Sequence, residues 1–420
     1  MRNPPKGQGF HVARISQVSR TEREGAGYRP SFTVLFIRAM SQTTSPRRTS
    51  LAPCHTALGA HFIDFGGWEM PAHYGSQIEE HHAVRNDAGM FDVSHMCVVD
   101  VEGKNAKPFL RTVFANDVDK LKTPGKALYT CMLNEQGGIL DDLIIYYFSD
   151  DSFRLVVNAA TAESDLVWLE SQNRALGTAV TLTPRRIDNA PAPGQALGII
   201  AVQGPNARNK TWAAIPGSQA ASESTKPFNT VQMTDPELGE IMIARTGYTG
   251  EDGFELMLDA DKAALLWNRL VEAGVQPAGL GCRDTLRLEA GMNLYGQDMD
   301  ATTSPLDAGL GWTVALDADR NFIGKQALQA QGQQHALVGL DALERGGIFR
   351  AHQAVQVGQG LGEVTSGTFS PTMQKTIAIA RVPCGVEAGI EALVSVRGKQ
   401  VPARVVSLPF VRHGKQVCDA

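Results

Sequence analysis

Apolar positions along the chain change their spacing several times, and each change marks an element. Ser76, with Glu79 three positions on, is a capping-box signature. It predicts a helix over Gln77 to about Asn86. Gly66 to Pro71 reads as a turn-rich connection, and Phe91 to Val101 alternates loosely and reads as a strand. Asn134–Gly138 is a turn. After it Ile139–Phe148 is a β-branched and aromatic run, Ser149–Ser152 a polar turn and Phe153–Ala159 a second run, which together predict a hairpin. Strand side chains alternate between faces, so an odd-numbered loop sets Asp142 across from Asn158 on one face, and an even one sets them on opposite faces. Further helices are predicted at about Ala160–Leu176, Asp261–Ala273 and Cys282–Ala290, the last closed by Gly291. From about Leu337 short apolar runs alternate with Gly, Pro and Ser. They are Ala336–Leu340, Ala354–Val357, Thr376–Val382, Glu391–Val396 and Val401–Val406, and they predict a small all-β domain. A Gln- and Ala-rich stretch, Asp317–Gln334, forms the connection. The pattern alone therefore reads as α+β followed by all-β.

Composition narrows the classes of function. The chain has 420 residues, long enough for about three domains. A formal charge of −5 argues against nucleic-acid binding, and there is no apolar run of membrane-spanning length. The six cysteines are widely and irregularly spaced, with no C-x-x-C pair, which fits reduced thiols rather than a disulfide scaffold or a zinc site. Residues 1–50 stand apart, with eight arginines and only Glu22 and Glu24 as acids. Three readings stay open: a disordered tail, an organellar transit segment, or a translation start at Met40.

Four features have side chains suited to chemistry, each with a plainer reading beside it. Asp141-Asp142 opens a strand in an apolar segment, where a carboxylate is costly unless paired or used, and only one of the two can face a given pocket. The plainer reading is an aspartate capping the glycine turn. Gly247–Glu255 concentrates Gly and acid and reads as a surface hairpin with a solvated tip. Glu255, however, follows Phe254 and precedes Leu256, so it lies within a strand. Arg283 and Arg287 lie four apart on one helix and serve either intrahelical ion pairing or recognition of an anion. His81, His82 and His95 lack metal-ligand spacing and read as structural or surface residues.

Taken in series, several stretches resemble the aminomethyltransferase (T-protein) family of the glycine cleavage system. They are FGGWEMP (65–71), AGMFDVSHM (88–96), ALYTCMLNEQGGILDDLI (127–144), GYTGEDGFE (247–255), RDTLRLEAGMNLYGQDMD (283–300), GLGWTV (309–314), TSGTFSP (365–371) and PFVR (409–412). The likeness runs from about residue 51 to 415. It departs at Leu51–His55, which lacks the usual Tyr-Asp/Glu, and at Cys282, where the family commonly has Ala.

The resemblance implies a three-domain α+β cloverleaf around a central folate channel. Residues 1–50 would be an extension, 51–335 two interleaved α+β subdomains and 336–420 a C-terminal β-barrel. It implies transfer of a one-carbon unit from the aminomethyl-lipoyl arm of H-protein to tetrahydrofolate, giving 5,10-methylenetetrahydrofolate and ammonia. It further implies functional links to the P- and L-proteins, a monomer, no metal, no nucleic acid and no membrane, in a bacterial cytoplasm or, with a transit segment, a mitochondrial matrix. The family's catalytic aspartate falls on Asp142. Its folate contacts fall on Met96, Tyr129, Val156, Asn158, Tyr248, Glu255, Arg283 and Arg412. Asp141 is then expected to point the other way as a structural neighbour. Three alternatives remain. One is the folate domain of a sarcosine- or dimethylglycine-oxidising flavoprotein, whose dinucleotide fingerprint is absent from this sequence. Another is a non-catalytic folate-binding relative in iron–sulfur assembly or RNA modification. The third is a pure docking module for lipoylated partners, which would not need buried acids.

Overall fold

A computed structural model describes residues 45–317, 319–344 and 347–418. The readings made for the N-terminal 44 residues lie outside this range. Within it, packing is already established a few residues before Leu51. The Arg47 guanidinium lies over the Trp68 ring at 4.9 Å and reaches Asp188 at 2.7 Å, while Thr49 Oγ1 donates to the buried Asp92 at 2.6 Å.

The molecule is α+β, built on two antiparallel-rich sheets and a closed barrel. The first sheet has five strands. Three follow one another in sequence: β1 (Ala127–Leu133), β2 (Ile139–Ser149) and β3 (Ser152–Val157). Cys97–Glu102 and Thr181–Pro184 complete it. The second sheet has six strands, ordered Thr230–Asp235, Gly239–Ala244, β4 (Gly253–Asp259), Leu197–Gln203, Gly89–Asp92 and Gln276–Pro277. Each sheet is apolar on both faces. The outer face of the first packs Val99, Phe153 and Leu155 against Phe109, Leu110 and Leu169 of the helices Ala106–Val113 and α2 (Ala162–Leu176). The outer face of the second packs Ile200, Val202 and Leu256 against Ala207, Leu266 and Trp267 of two further helices. Their inner faces meet: Val98, Tyr146 and Val156 from the first touch the cluster of Ile199, Ala201, Met242 and Met257 from the second.

Phe91–Val101 is not one strand. Gly89–Asp92 belongs to the second sheet and Cys97–Glu102 to the first, and the chain crosses between them at residues 93–96. Ser94 makes the crossing: its backbone N–H bonds Asp92 Oδ1 at 2.9 Å, and its hydroxyl accepts from the Ile199 N–H at 2.9 Å. Alternation continues on both sides of the crossing, so hydrophobic pattern does not reveal it. Gly66–Pro71 is likewise more ordered than a connection. Gly66 and Gly67 take positive φ in a tight turn between strands His61–Phe65 and Trp68–His73. The helix at Gln77–Asn86 (α1) starts as expected, with the Ser76 hydroxyl accepting from the Glu79 N–H at 3.3 Å. A helix at Leu280–Glu289 (α3) ends before Gly291, whose φ of +66° suits glycine.

The barrel is closed by six strands in the order His335–Ala342, Lys375–Pro383, Gly360–Ser370, Ala354–Val357, Glu391–Val396 and Lys399–Val406. Five match the apolar runs. Gly360–Ser370 has no such run, being rich in Gly, Ser and Thr. Its Gly362 and Gly367 pass so close to the Arg381 and Phe349 carbonyl oxygens that a Cβ would sit 2.3 and 2.4 Å from them. Buried ions tie the barrel to α3. Glu289 accepts from Arg85 at 2.8 Å and from the Ser370 hydroxyl at 2.5 Å, and Arg287 meets Asp298 at 2.7 Å and Ser366 at 2.9 Å.

The turn before β2 has no room to spare. A Cβ on Gly138 would lie 1.8 Å from the Ala301 carbonyl oxygen. Gly138→Ala must therefore displace either the turn or the segment around Ala301. It is expected to cost about 1–3 kcal/mol, read as a lowered midpoint in urea unfolding with the slope unchanged.

Candidate active site

The two inner sheet faces are apolar in depth and polar at one edge. The polar edge is where β2 begins and β3 ends. Residues of β2 and β3 pair with Ile144 opposite Val156, and a bulge between Tyr147 and Ser149 makes the loop odd-numbered. Continued two residues on, that register sets Asp142 opposite Asn158, as the odd-loop alternative required. The Asn158 carboxamide nitrogen donates to Asp142 Oδ1 at 3.0 Å. From the other side the Tyr129 hydroxyl of β1 donates to Asp142 Oδ2 at 2.5 Å. Each carboxylate oxygen thus has one donor, and the group is held in a single orientation.

Asp141 faces away from Asp142 and is fully buried, in keeping with a structural neighbour. It is nevertheless part of the same construction, because β3 ends at Val157 and the chain turns. Its Oδ2 accepts the Asn158 backbone N–H at 3.0 Å and its Oδ1 the Asn158 carboxamide at 2.8 Å. One asparagine therefore serves both acids.

The loop before β4 supplies the facing wall. Tyr248 donates its hydroxyl to the Asn293 carbonyl, and the Arg283 guanidinium of α3 lies over its ring at 4.6 Å. Glu255 Oε2 accepts from Thr246, whose hydroxyl in turn lies 3.2 Å from Tyr146. Glu255 Oε1 takes no hydrogen bond from any described residue, and neither does the Arg283 side chain give one. Both are half-buried with unused capacity. This separates Arg283 from Arg287, which pairs with Asp284 at 2.9 Å as the ion-pairing reading expected. The tip of the loop is not a solvated acidic turn. Glu251 is paired with Arg85 at 2.7 Å and nearly buried.

Val156 and Met96 line the seam between the sheets, with Ile144 beside them. Asp142, Asn158, Tyr129, Tyr248, Glu255, Arg283, Met96 and Val156 thus come together around the mouth of that seam. Arg412 does not join them directly. It is exposed, on the short hairpin Val411–Arg412 with Lys415–Gln416. That hairpin docks through the His413 N–H on the Gly250 carbonyl at 3.2 Å, so Arg412 stands beside the loop rather than in the seam. His81 is a buried structural residue, 2.8 Å from Thr285 and 3.0 Å from Thr372. His95 is buried beside Phe65 and held neutral, its pKa pushed down to about 3 by burial and by the Arg283 charge. Among the described residues, no three His, Cys, Asp or Glu side chains converge as a metal would need.

Burial and charge set the protonation of the site. Asp142 is pushed up to about 7, first by desolvation and then by the Asp141 charge, against the two hydrogen bonds it accepts. Glu255 is raised by desolvation, with Thr246 and Arg283 opposing. Arg283 is lowered by desolvation, with Tyr248 and Glu255 opposing.

Known proteins match this architecture along its length. The family described as the GCVT N-terminal domain matches residues 51–318, and the glycine cleavage T-protein C-terminal barrel domain matches residues 335–412. The chain belongs to the glycine cleavage T-protein family. It is 62% identical over 369 residues to an aminomethyltransferase of Ralstonia pickettii, covering 88% of this chain and 98% of the relative. It is 61% identical over 367 residues to that of Cupriavidus taiwanensis, covering 87% and 98%. The crystal structure of the glycine cleavage system aminomethyltransferase T from Bartonella henselae superposes with a TM-score of 0.78 at 34% identity, covering 88% of this chain and 99% of that one.

Several side chains that shape this T-protein site gave no signal in the sequence. Thr246, Tyr146 and Asn293 act only through folded contacts. Trp312, within the GLGWTV stretch, is 65% exposed and stacks on Tyr129 at 5.7 Å. An apolar residue left in solvent is visible only in three dimensions.

Tyr129→Phe removes the donor to Asp142 Oδ2. A hydrogen bond to a charged acceptor contributes about 1.5–3 kcal/mol. The Asp142 carboxyl should therefore titrate about one to two pH units higher, and at neutral pH it would be mostly protonated. Carbon-detected NMR of the aspartate carboxyls reads this directly, and an unmoved titration would contradict it.

Proposed function

We infer that this chain is the aminomethyltransferase of the glycine cleavage system, moving the one-carbon unit of an aminomethyl-lipoyl group on H-protein to tetrahydrofolate. The observation that carries the reading is Asp142: a half-buried carboxylate held by two donors at the mouth of an apolar seam. As sulfur leaves the donor carbon, positive charge develops on the remaining CH2–NH2 unit. A fixed carboxylate beside it stabilises that charge and orients the attacking folate nitrogen, without reorganisation at the moment of reaction. Two folate N–H protons balance the products: one ends on the lipoyl sulfur and one on ammonia, while the carbon bridges the two folate nitrogens.

The remaining residues suit the acceptor. The free Oε1 of Glu255, with Oε2 beside it, offers an acceptor edge to the amino and ring N–H groups of a pterin. Arg283 offers an unpaired cation, with the exposed Arg412 nearby for the anionic glutamate tail. Met96, Val156 and Tyr248 offer apolar and aromatic walls. We assign residues 51–335 to the folate-binding region and 336–420 to the barrel domain, and place the protein with its bacterial relatives in the cytoplasm, working with the P- and L-proteins. A non-catalytic folate-binding role leaves the carboxylate of Asp142 and its two aimed donors without a task.

Asp142→Asn keeps shape and removes charge. Ammonia release from aminomethylated H-protein, measured with and without tetrahydrofolate, should lose about 10²–10³ of its folate-stimulated rate. Equal rates for both proteins would refute the role. In the wild type the same rate should fall as pH drops through about 7, because only charged Asp142 stabilises the cation.

Glu255→Gln retains one acceptor and places a donor against the pterin donors. Folate affinity should weaken about 10–100-fold, corresponding to about 1.5–3 kcal/mol for a hydrogen bond to a charged group. Turnover at saturating folate should change little. A loss confined to turnover would place Glu255 elsewhere in the reaction.

A further inference from the structure

Behind Asp142 lies a third acid that the transfer chemistry does not touch. Asp165 stands in the first turn of α2 and is 2% exposed. Its backbone N–H bonds the Thr161 carbonyl at 2.8 Å, and the Thr161 hydroxyl bonds the Asn158 carbonyl at 3.3 Å, so its carboxyl lies beside the Asn158 turn, close enough to that of Asp141 for each to act on the other's ionisation. Both oxygens of Asp141 are already occupied from the opposite side by the two Asn158 donors. Asp165 Oδ2 is buried, and no donor among the described residues reaches it. Counted donor by donor, the arrangement is one proton short. Two buried carboxylates this close cannot both stay charged, and a single proton between them supplies the missing donor.

The proton's place follows from the geometry. Asp141 receives two N–H groups and is the better-satisfied anion. Asp165, if charged, would have at most the Thr161 hydroxyl to answer it, and that hydroxyl already donates to the Asn158 carbonyl at 3.3 Å. We propose that Asp165 is a positioning residue for the transfer: it carries the shared proton and donates it to Asp141, which stays an acceptor for Asn158, so that Asn158 stays aimed at Asp142. The ordering of the acids agrees. Asp165 is pushed up to about 10 by desolvation and then by the Asp141 charge, while Asp142 reaches only about 7. Asp165 is therefore neutral through the range in which Asp142 titrates. The charge left on Asp141 is one of the two causes that lift Asp142.

Other groups face the trio. Tyr129 and Cys131 approach from β1, Tyr248 from the loop before β4, and Tyr295 from the segment after α3. All four are raised by burial and stay neutral at and below pH 7. Asp300 faces Tyr295 and is lowered by its Thr302 bonds, so it stays charged there. Near neutrality Asp142 alone among these groups changes its charge.

The proposal rests on the transferase reading for its kinetic arm alone. Asp165→Asn puts a carboxamide donor where the acid's proton was. It should keep the acid limb of folate-stimulated ammonia release where the wild type has it. Asp165→Val removes the donor. Asp141 then takes up the proton itself, its charge no longer lifts Asp142, and the limb should move about one pH unit lower. A packing role alone would cut rate or stability for the valine variant and leave the limb in place, and that result overturns the proposal. A limb moved by Asp165→Asn does so too. Infrared spectroscopy gives a second arm that needs neither activity nor the valine variant. On the alkaline side of neutrality the wild type should show a protonated carboxyl stretch that Asp165→Asn lacks. A wild type without the band, or a band that persists in the variant, overturns the proposal whether or not the protein transfers aminomethyl groups.

Discussion

One carboxamide holds two carboxylates, one buried and one half-buried, and the site is arranged around it. Asn158 gives its side-chain N–H groups to Asp141 and Asp142 and its backbone N–H to Asp141. Burying a carboxylate without partners is costly enough that the group would take a proton instead. The hydrogen bonds keep Asp142 near the balance point between charged and neutral, where a small change in its surroundings decides its state. This explains why β3 stops at Val157: a strand continued through Asn158 would commit its N–H to the ladder or to solvent rather than to Asp141.

The position of that trio depends on a larger constraint. Both sheets are apolar on two faces, so each needs a helix layer outside and the other sheet inside. The seam between them is thus largely apolar in depth, and the polar groups of the site gather at its edge. Tyr129, Asp142 and Asn158 come to the edge from one sheet. Tyr248 and Glu255 come to it from the other. Low polarity behind them strengthens every charge interaction at the mouth.

Helix α3 couples this edge to the barrel. Its Arg283 faces the site, whereas Arg287 and Glu289 on the same helix are spent on Asp298, Ser366, Arg85 and Ser370. Buried ion pairs of this kind are weak sources of net stability, because desolvation offsets much of the attraction. Their value here is geometric: each has one low-energy arrangement, and that arrangement fixes how α1, α3 and the barrel wall meet.

The local elements were legible in the amino-acid order. The capping box at Ser76, the Gly291 stop, the β2–β3 hairpin and five of the six barrel strands all follow from neighbours a few residues apart, where propensity and alternation act. So did the candidacy of Asp142 and Glu255, because an acid inside an apolar strand stands out against its pattern. Sequence left open the parity of the hairpin loop, and a single bulge at residue 148 decided it. Sequence also missed the crossing at Ser94 and the strand Gly360–Ser370, where hydrophobicity runs on through a change of sheet or is absent from a strand buried by its glycines. It did not show that Asn158 holds Asp141 as well as Asp142, and it overlooked Asp165, Thr246 and Trp312. The meaning of those side chains lies in partners that folding supplies: Asn158 across the hairpin for Asp141, the turn at Asn158 for Asp165, Glu255 and Tyr146 for Thr246 and the Tyr129 ring for Trp312, which only strand pairing, helix packing and the closing of one sheet on the other bring into contact.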